Sequence, residues 1–169
     1  RLSSLEPDEI TPELVDLMAS EPLICPHVHS PLQSGDDPVL ALMNRGYGTE
    51  SFSSMVLDIR NKIPHAAIGV DVMVGFPGET EKAFQNTKDL IQNLPVSYLH
   101  VFRYSPRPGT PAARFPNPVS PAISKERSAL LRDLGFAKRR SFYESCLGRA
   151  FPVIVEEPGG SVDALARGL

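Results

Sequence analysis

Cysteine is scarce here: 169 residues hold two thiols, Cys25 and Cys146, at opposite ends of the chain. That spacing excludes a disulfide framework and a short-spaced metal knuckle, and both thiols are expected to serve as small buried hydrophobes. No apolar run approaches the roughly 20 residues that a helix needs to cross a bilayer, and Arg1-Leu-Ser-Ser-Leu-Glu6 is not a secretory signal. A cytoplasmic location without membrane contact is therefore the expectation. Gly75-Phe-Pro-Gly-Glu-Thr80 lacks both the lysine of a Walker loop and the glycine spacing of a dinucleotide fingerprint. A starting methionine is also missing, and Arg1-Leu-Ser-Ser4 reads as the exit from a strand, so a piece of a longer protein is expected.

With 41% hydrophobic and 22% charged residues, the chain has the makings of one core-bearing globular domain. Its net charge of -3 hides an asymmetry. Residues 1–100 carry 6 basic and 14 acidic side chains, whereas residues 101–149 carry 10 basic and 3 acidic. A basic half suggests an anionic partner; the alternative is a solvated helix face balanced by the acidic half.

Apolar spacing sets the elements. A helix opens at Thr11-Pro12 with Leu14, Leu17 and Met18 inward and ends near Ser20. Another starts at Thr49, buries Phe52, Met55, Val56, Ile59 and Ile63, and stops at Pro64. Ala67–Val74 is apolar on both faces except for Asp71, as a covered parallel strand should be. The Gly75 turn leads into a helix with Phe84, Thr87, Ile91 and Leu94 inward, and Ser97–Phe102 repeats the strand pattern. A third strand is expected at 22–29, with the polar run His27–Gly35 leaving it toward a helix beginning at Asp36. Seven prolines between Pro95 and Pro121 make that stretch irregular and rigid. A long helix then runs from the Ser120-Pro121 cap to about Cys146. Ile123, Leu130, Leu134, Ala137 and Tyr143 or Cys146 are expected inside, Lys125, Arg127, Arg132, Lys138, Arg139 and Arg140 outside, with an interruption near Gly135. Residues 149–157 read as one more strand, 158–160 as a turn, and 161–169 have no assigned partner. Strands alternating with helices predict an α/β fold with parallel pairing.

Three groups of residues carry chemistry. His27 and His29 share one strand face, a spacing that lets two imidazoles reach one metal. Asp71, His65 and His100 are the further candidates, with His65 at the wrong end of its strand. A zinc-dependent barrel hydrolase is one reading; hydrogen-bonded histidines and a ligand-binding role are the others. Gln33-Ser-Gly35 and the Gly75 turn offer an amide, a hydroxyl and backbone N–H groups suited to a ribose, carboxylate or adenine edge. Arg103-Tyr-Ser-Pro-Arg107, followed by the basic helix, suits phosphates and an unpaired base, so a non-catalytic RNA-binding module is a third reading.

Taken in order, Arg1–Pro7, His27-x-His-x-Pro-Leu-Gln-Ser-Gly35, Leu42–Tyr47, Asp71–Thr80 and His100-Val-Phe-x-Tyr-Ser-Pro-Arg-Pro-Gly-Thr-Pro-Ala112 resemble the radical-SAM tRNA methylthiotransferases. Cys25-Pro-His27 and Tyr104–Thr110 look most like the threonylcarbamoyladenosine branch. The resemblance implies a partial TIM-type barrel with parallel strands and outer helices. Residues 1–147 would be the C-terminal half of the radical-SAM domain, and 148–169 the truncated start of a small tRNA-binding β-barrel. It implies S-adenosylmethionine and [4Fe-4S] clusters in the parent protein, and a methylthio group added at C2 of a modified adenosine beside the anticodon of tRNA. It places the cofactor against Ser3, Ser4, His29, Gln33, Ser34, Arg45 and the Val74-Gly75-Phe76-Pro77 backbone, and RNA against Arg103, Tyr104, Arg107, Lys138, Arg139 and Arg140. The family's Cys-x3-Cys-x2-Cys loop is missing from these residues, so this chain alone is expected to be inactive, to retain no cofactor and to hold no metal. Unpaired sheet edges are expected to favour dimerisation.

Overall fold

Residues 2–3, 5–151, 155–157 and 167–168 are described in this computed structural model. Four strands, β1 (Leu2–Ser3), β2 (His27–Gln33), β3 (Ala67–Val74) and β4 (Tyr98–Arg103), form one parallel sheet whose spatial order follows the chain. Each crossover carries helix. α1 (Pro12–Ser20) joins β1 to β2, α2 (Asp37–Leu42) and α3 (Thr49–Lys62) join β2 to β3, α4 (Glu81–Asn93) joins β3 to β4, and α5 (Pro121–Cys146) follows β4. Single 3-10 turns lie at Pro7–Glu9 and Pro111–Arg114. β5 (Val155–Glu157) pairs antiparallel with β6 (Arg167–Gly168), so the tail expected to lack a partner supplies one.

The helices start where their capping residues sit. Thr11, Asp36, Thr80 and Ser120 accept hydrogen bonds from the backbone N–H groups of Leu14, Val39, Ala83 and Ile123, satisfying donors that the first turn leaves open. The helical layer covers one sheet face, where Val28, Leu32, Ile68, Val70, Val72 and Val74 meet Phe52, Ile59, Phe84, Ile91 and Leu131 in the main core. Each such side chain contributes about 1.5–3 kcal/mol through removal from water. The opposite face carries His27, His29, Asp71, Tyr98 and His100, because strand residues alternate between faces.

Several elements differ from expectation. The strand expected at 22–29 is shifted: residues 22–26 form a turn, and the polar run His27–Gln33 is itself β2. Pro22 and Pro26 lack the N–H that a ladder requires, and Cys25 between them is exposed rather than buried. On α1, Val15 is buried where Leu17 was expected, and Leu17 is half exposed. α5 runs unbroken through Gly135, where an added Cβ would lie 3.2 Å from the Leu99 Cβ. Glycine thus brings the helix close to β4 instead of breaking it. The buried stripe of α5 is Ser124, Arg127, Ser128, Leu131 and Gly135, while Ile123, Leu130, Ala137 and Tyr143 face outward. Apolar period alone misplaced this face because its seam uses small and ion-paired residues.

Candidate functional site

The C-terminal ends of β2, β3 and β4 open into one cleft of about 910 Å³. Ligand sites in parallel α/β sheets form at this end, and cavities of roughly 300–1,000 Å³ suit small ligands. Met73 and Phe102 line it from the sheet, Gln33 from the end of β2, Phe76 from the turn after β3, and Arg103, Tyr104 and Arg107 from the end of β4. Met43, Asn44 and Arg45 follow α2, and Phe115 closes the proline-rich side. Phe76 meets the Tyr104 and Phe115 rings edge to face, with centroids 5.2 and 6.1 Å apart.

Two cleft residues hold unusual backbone. Gln33, beside a register shift in β2, has φ 61°, and Asn44 has φ 57°. A non-glycine residue in the left-handed region costs of order 1–3 kcal/mol and gathers where ligands bind. Two polar atoms of cleft residues, the Tyr104 hydroxyl and the Arg45 Nε, are buried and make no hydrogen bond among the described residues. Buried polar atoms are nearly always paired, so these two fit a polar ligand. Arg45 is anchored through its other nitrogen, with Nη1 donating to Glu6 Oε1 at 2.6 Å.

The turn that carries Phe76 is held by a buried ion pair. Glu79 Oε2 accepts from the Gly75 N–H and from Arg127 Nη1, both at 2.7 Å, while Arg127 Nη2 donates to Glu81 Oε2 at 3.0 Å. The Arg127 guanidinium also lies 5.2 Å from the Phe84 ring centroid. Burial pushes the Glu79 carboxyl above its ordinary range, and the Gly75 N–H and Arg127 pull it back. Gly75, at φ 80°, packs so tightly against α5 that a Cβ would lie 2.5 Å from Ser124 Oγ. The turn is further pinned by the Gly78 N–H on the Asn117 carbonyl at 3.0 Å.

The second polar group is at mid-sheet. Cross-strand register aligns Gly69 with His29 and Tyr98, and Asp71 with His100. The Tyr98 hydroxyl lies 2.8 Å from His27 Nε2 and 3.1 Å from His29 Nδ1, and His29 Nε2 lies 2.8 Å from Asp71 Oδ1. His100 Nδ1 is 3.4 Å from the same oxygen.

Of the residues expected at the cofactor, Gln33, Arg45 and Phe76 line the cleft. Ser3 pairs with His29 at mid-sheet, four residues below Gln33 and outside the cleft lining; Ser4 lies outside the described residues. Ser34 is buried, with its hydroxyl 3.4 Å from Thr87 Oγ1 on α4. Val74 is fully buried, its carbonyl accepts from the Tyr104 N–H, and Gly75 spends its N–H on Glu79, so this backbone is engaged internally; Pro77 does not line the cleft. Among the RNA candidates, Arg103, Tyr104 and Arg107 line the cleft, and Arg139 and Arg140 are exposed on α5. Lys138 departs from the expected outer face: its ammonium donates to the Gln92 and Leu94 carbonyls at 2.8 and 2.6 Å, capping the end of α4. Arg127 departs from it too, being buried in its ion pairs. Sequence reading missed Glu79, Arg127 and Phe115; the signal available for Arg127 was a lone cation between two serines on a face otherwise small or apolar.

Comparison with known proteins supplies independent findings. The profile of the radical SAM superfamily matches residues 3–91. A tRNA-2-methylthio-N(6)-dimethylallyladenosine synthase of Corynebacterium urealyticum is 42% identical over 164 residues, covering 97% of this chain and 30% of that protein. The threonylcarbamoyladenosine tRNA methylthiotransferase MtaB of Aquifex aeolicus is 42% identical over 157 residues, covering 93% of this chain and 38% of that protein. The chain thus spans well under half the length of these curated relatives. The fold matches that of coproporphyrinogen III oxidase (HemN) from Escherichia coli, described as a radical SAM enzyme, with TM-score 0.67 and 20% identity over 81% of this chain and 32% of that one.

Proposed function

The chain belongs to the radical SAM superfamily, and from that premise we propose that it forms the cofactor-side portion of a cytoplasmic tRNA methylthiotransferase acting on C2 of a modified adenosine beside the anticodon. The observation that carries this reading is the convergence of Gln33, Phe76 and Tyr104, from the ends of three successive strands, on one cleft whose polar atoms include two without a partner.

The cleft fits S-adenosylmethionine. Gln33 and Arg45 would meet its polar groups, the Phe76–Tyr104 pair would flank its flat adenine, and Met73 and Phe102 would exclude water from the apolar wall. The chemistry the cofactor would supply, once reduced by one electron from a cluster held outside these residues, is a carbon-centred radical able to act on an aromatic C–H bond that polar reagents leave untouched. An iron–sulfur cluster does not fit this chain by itself. One thiol, Cys25, precedes β2 and the other, Cys146, ends α5, whereas the cluster loop needs three. No step in these residues runs through a cluster, and the isolated chain is inactive in this reading.

Arg103 and Arg107 at the cleft wall, with Arg139 and Arg140 on the exposed face of α5, would meet RNA phosphates, and anticodon-loop bases are reached without opening a duplex. Both relatives are equally similar to the chain, at 42% identity, so identity does not choose the adenosine. Guanidinium groups at the cleft favour the threonylcarbamoyl form, whose carboxylate they bind in a fork that an apolar dimethylallyl group cannot use. The open edges of β1 and β4 are where a second copy would pair.

The test is expression of the complete gene in a host whose tRNA lacks methylthio groups, followed by mass spectrometry of tRNA nucleosides. The 2-methylthio derivative of threonylcarbamoyladenosine is the expected product. The dimethylallyl derivative would correct the branch, and no methylthio nucleoside would overturn the reading, as would a coding sequence without a three-cysteine loop.

A further inference from the structure

We propose that His29, Asp71 and His100 form a binding site for one divalent first-row transition-metal ion of the zinc class, on the sheet face away from the helices. The site is separate from the cleft and does not rest on the proposed activity.

His29 offers Nε2, Asp71 a carboxylate oxygen and His100 Nδ1, and the three ligand atoms all lie within 4.8 Å of one another. Two imidazoles and one carboxylate are the ligand set that zinc and its neighbours prefer, with a fourth position left for water or substrate. The three come from adjacent strands at positions fixed by register, so no loop must close to assemble them: His29 on β2 and His100 on β4 flank Asp71 on β3. The His29 and His100 ring centroids are 4.7 Å apart, and the His100 side chain is open to solvent, giving an ion a way in.

A second feature points the same way. A histidine ligand generally has its other ring nitrogen held by a partner that fixes the ring's orientation. Here His29 Nδ1 faces the Tyr98 hydroxyl at 3.1 Å, leaving Nε2 for the site. Tyr98 reaches this place because its cross-strand neighbour is glycine. A Cβ on Gly69 would collide with the Tyr98 ring and lie 2.6 Å from His29 Nδ1. Gly69, whose φ needs no glycine, is thus accounted for by the ring it accommodates. His27, one of the two histidines that sequence spacing paired, turns its Nε2 to Tyr98 and stands outside the ligand set, and Asp71 and His100 take its place.

The experiment titrates the untagged, chelator-treated chain with Zn²⁺ by calorimetry and with Co²⁺ by visible absorption. One-to-one saturable binding is expected. His100→Ala, at a solvent-open position, is expected to weaken binding at least tenfold, and Tyr98→Phe about tenfold through loss of the partner that orients His29. His65→Ala, in the turn before β3, is expected to leave it unchanged. Should His100→Ala fold poorly by circular dichroism, His100→Gln and Asp71→Asn replace it with the same expectation. Absence of saturable binding, or binding indifferent to the His100 and Asp71 substitutions, would overturn the proposal and leave a hydrogen-bonded network without metal.

Discussion

The cleft at the strand ends and the polar group at mid-sheet lie on one sheet yet are built on opposite terms. At mid-sheet, register places His29, Asp71, Tyr98 and His100 side by side, and the ring nitrogens and carboxylate contact one another at 2.8 to 3.4 Å. At the rim the walls come from loops, two residues hold left-handed backbone, and the Tyr104 hydroxyl and Arg45 Nε find no partner. Regular strands can satisfy their own polar groups, and loops on a rigid scaffold can be left wanting a ligand. The rim therefore needs outside support, which the Glu79–Arg127 pair provides through the Gly75 N–H.

That support gives the largest expected effect. Arg127→Met strands a buried carboxylate and is expected to destabilise the chain by about 3–5 kcal/mol at neutral pH, read by urea unfolding. Combining it with Glu79→Leu is expected to restore most of the loss. The single variant also acquires a pH signature. A buried carboxyl with a folded pKa above 4.5 binds its proton more tightly in the native state, so stability falls as pH rises from 4.5 through the folded pKa. The variant is accordingly expected to recover stability on acidification toward pH 4.5; a flat profile would show that Glu79 is hydrated, and the contrast between rim and sheet would fail.

Mid-sheet, Gly69→Ala is expected to cost about 1–3 kcal/mol by displacing the Tyr98 ring, with no change in ligand binding at the rim. If unfolding shows no loss, Tyr98 is not seated as described. A smaller effect is expected for Tyr104→Phe, which removes a buried unpartnered hydroxyl: stability should be level or higher by up to about 1 kcal/mol, while nucleotide binding at the cleft weakens. The smallest is alkaline. Burial raises the Tyr47 phenol above its ordinary 10.0, so the native state holds this proton longer than the unfolded chain, and stability falls as pH climbs past 10. Tyr47→Phe should remove that part of the alkaline slope in thermal melts at pH 9 to 11.

Much of the scaffold was legible because it follows apolar periodicity and capping chemistry. β3 lies at Ala67–Val74, and α5 begins after the Ser120 cap, as their residues dictate. The register of a polar strand was not legible. His27–His29 read as the end of a strand and Ser30–Gln33 as the polar run leaving it, yet the whole segment forms β2 because Val28, Ser30 and Leu32 are fully buried on one face. The face of α5 was misread for a related reason: its seam depends on Gly135 against Leu99 and on Arg127, which no apolar count registers. At the site, Gln33, Arg45 and Phe76 were within reach of motif reading, whereas Phe115 and the Glu79–Arg127 support depend on long-range packing. His29 shows the limit most plainly, since its motif neighbour Gln33 is at the rim while it sits in mid-strand.

The central claim is that an adenosyl ligand is taken at the rim and not on the sheet face. The most direct measurement is a titration of the isotopically labelled chain with S-adenosylhomocysteine at millimolar concentration, followed by amide chemical shifts. Saturable shifts confined to Gln33, Asn44, Arg45, Phe76 and Tyr104, weakened by Gln33→Ala and untouched by His100→Ala, are the expected result; shifts centred on His29, Asp71 and His100, or none at the rim, would contradict it.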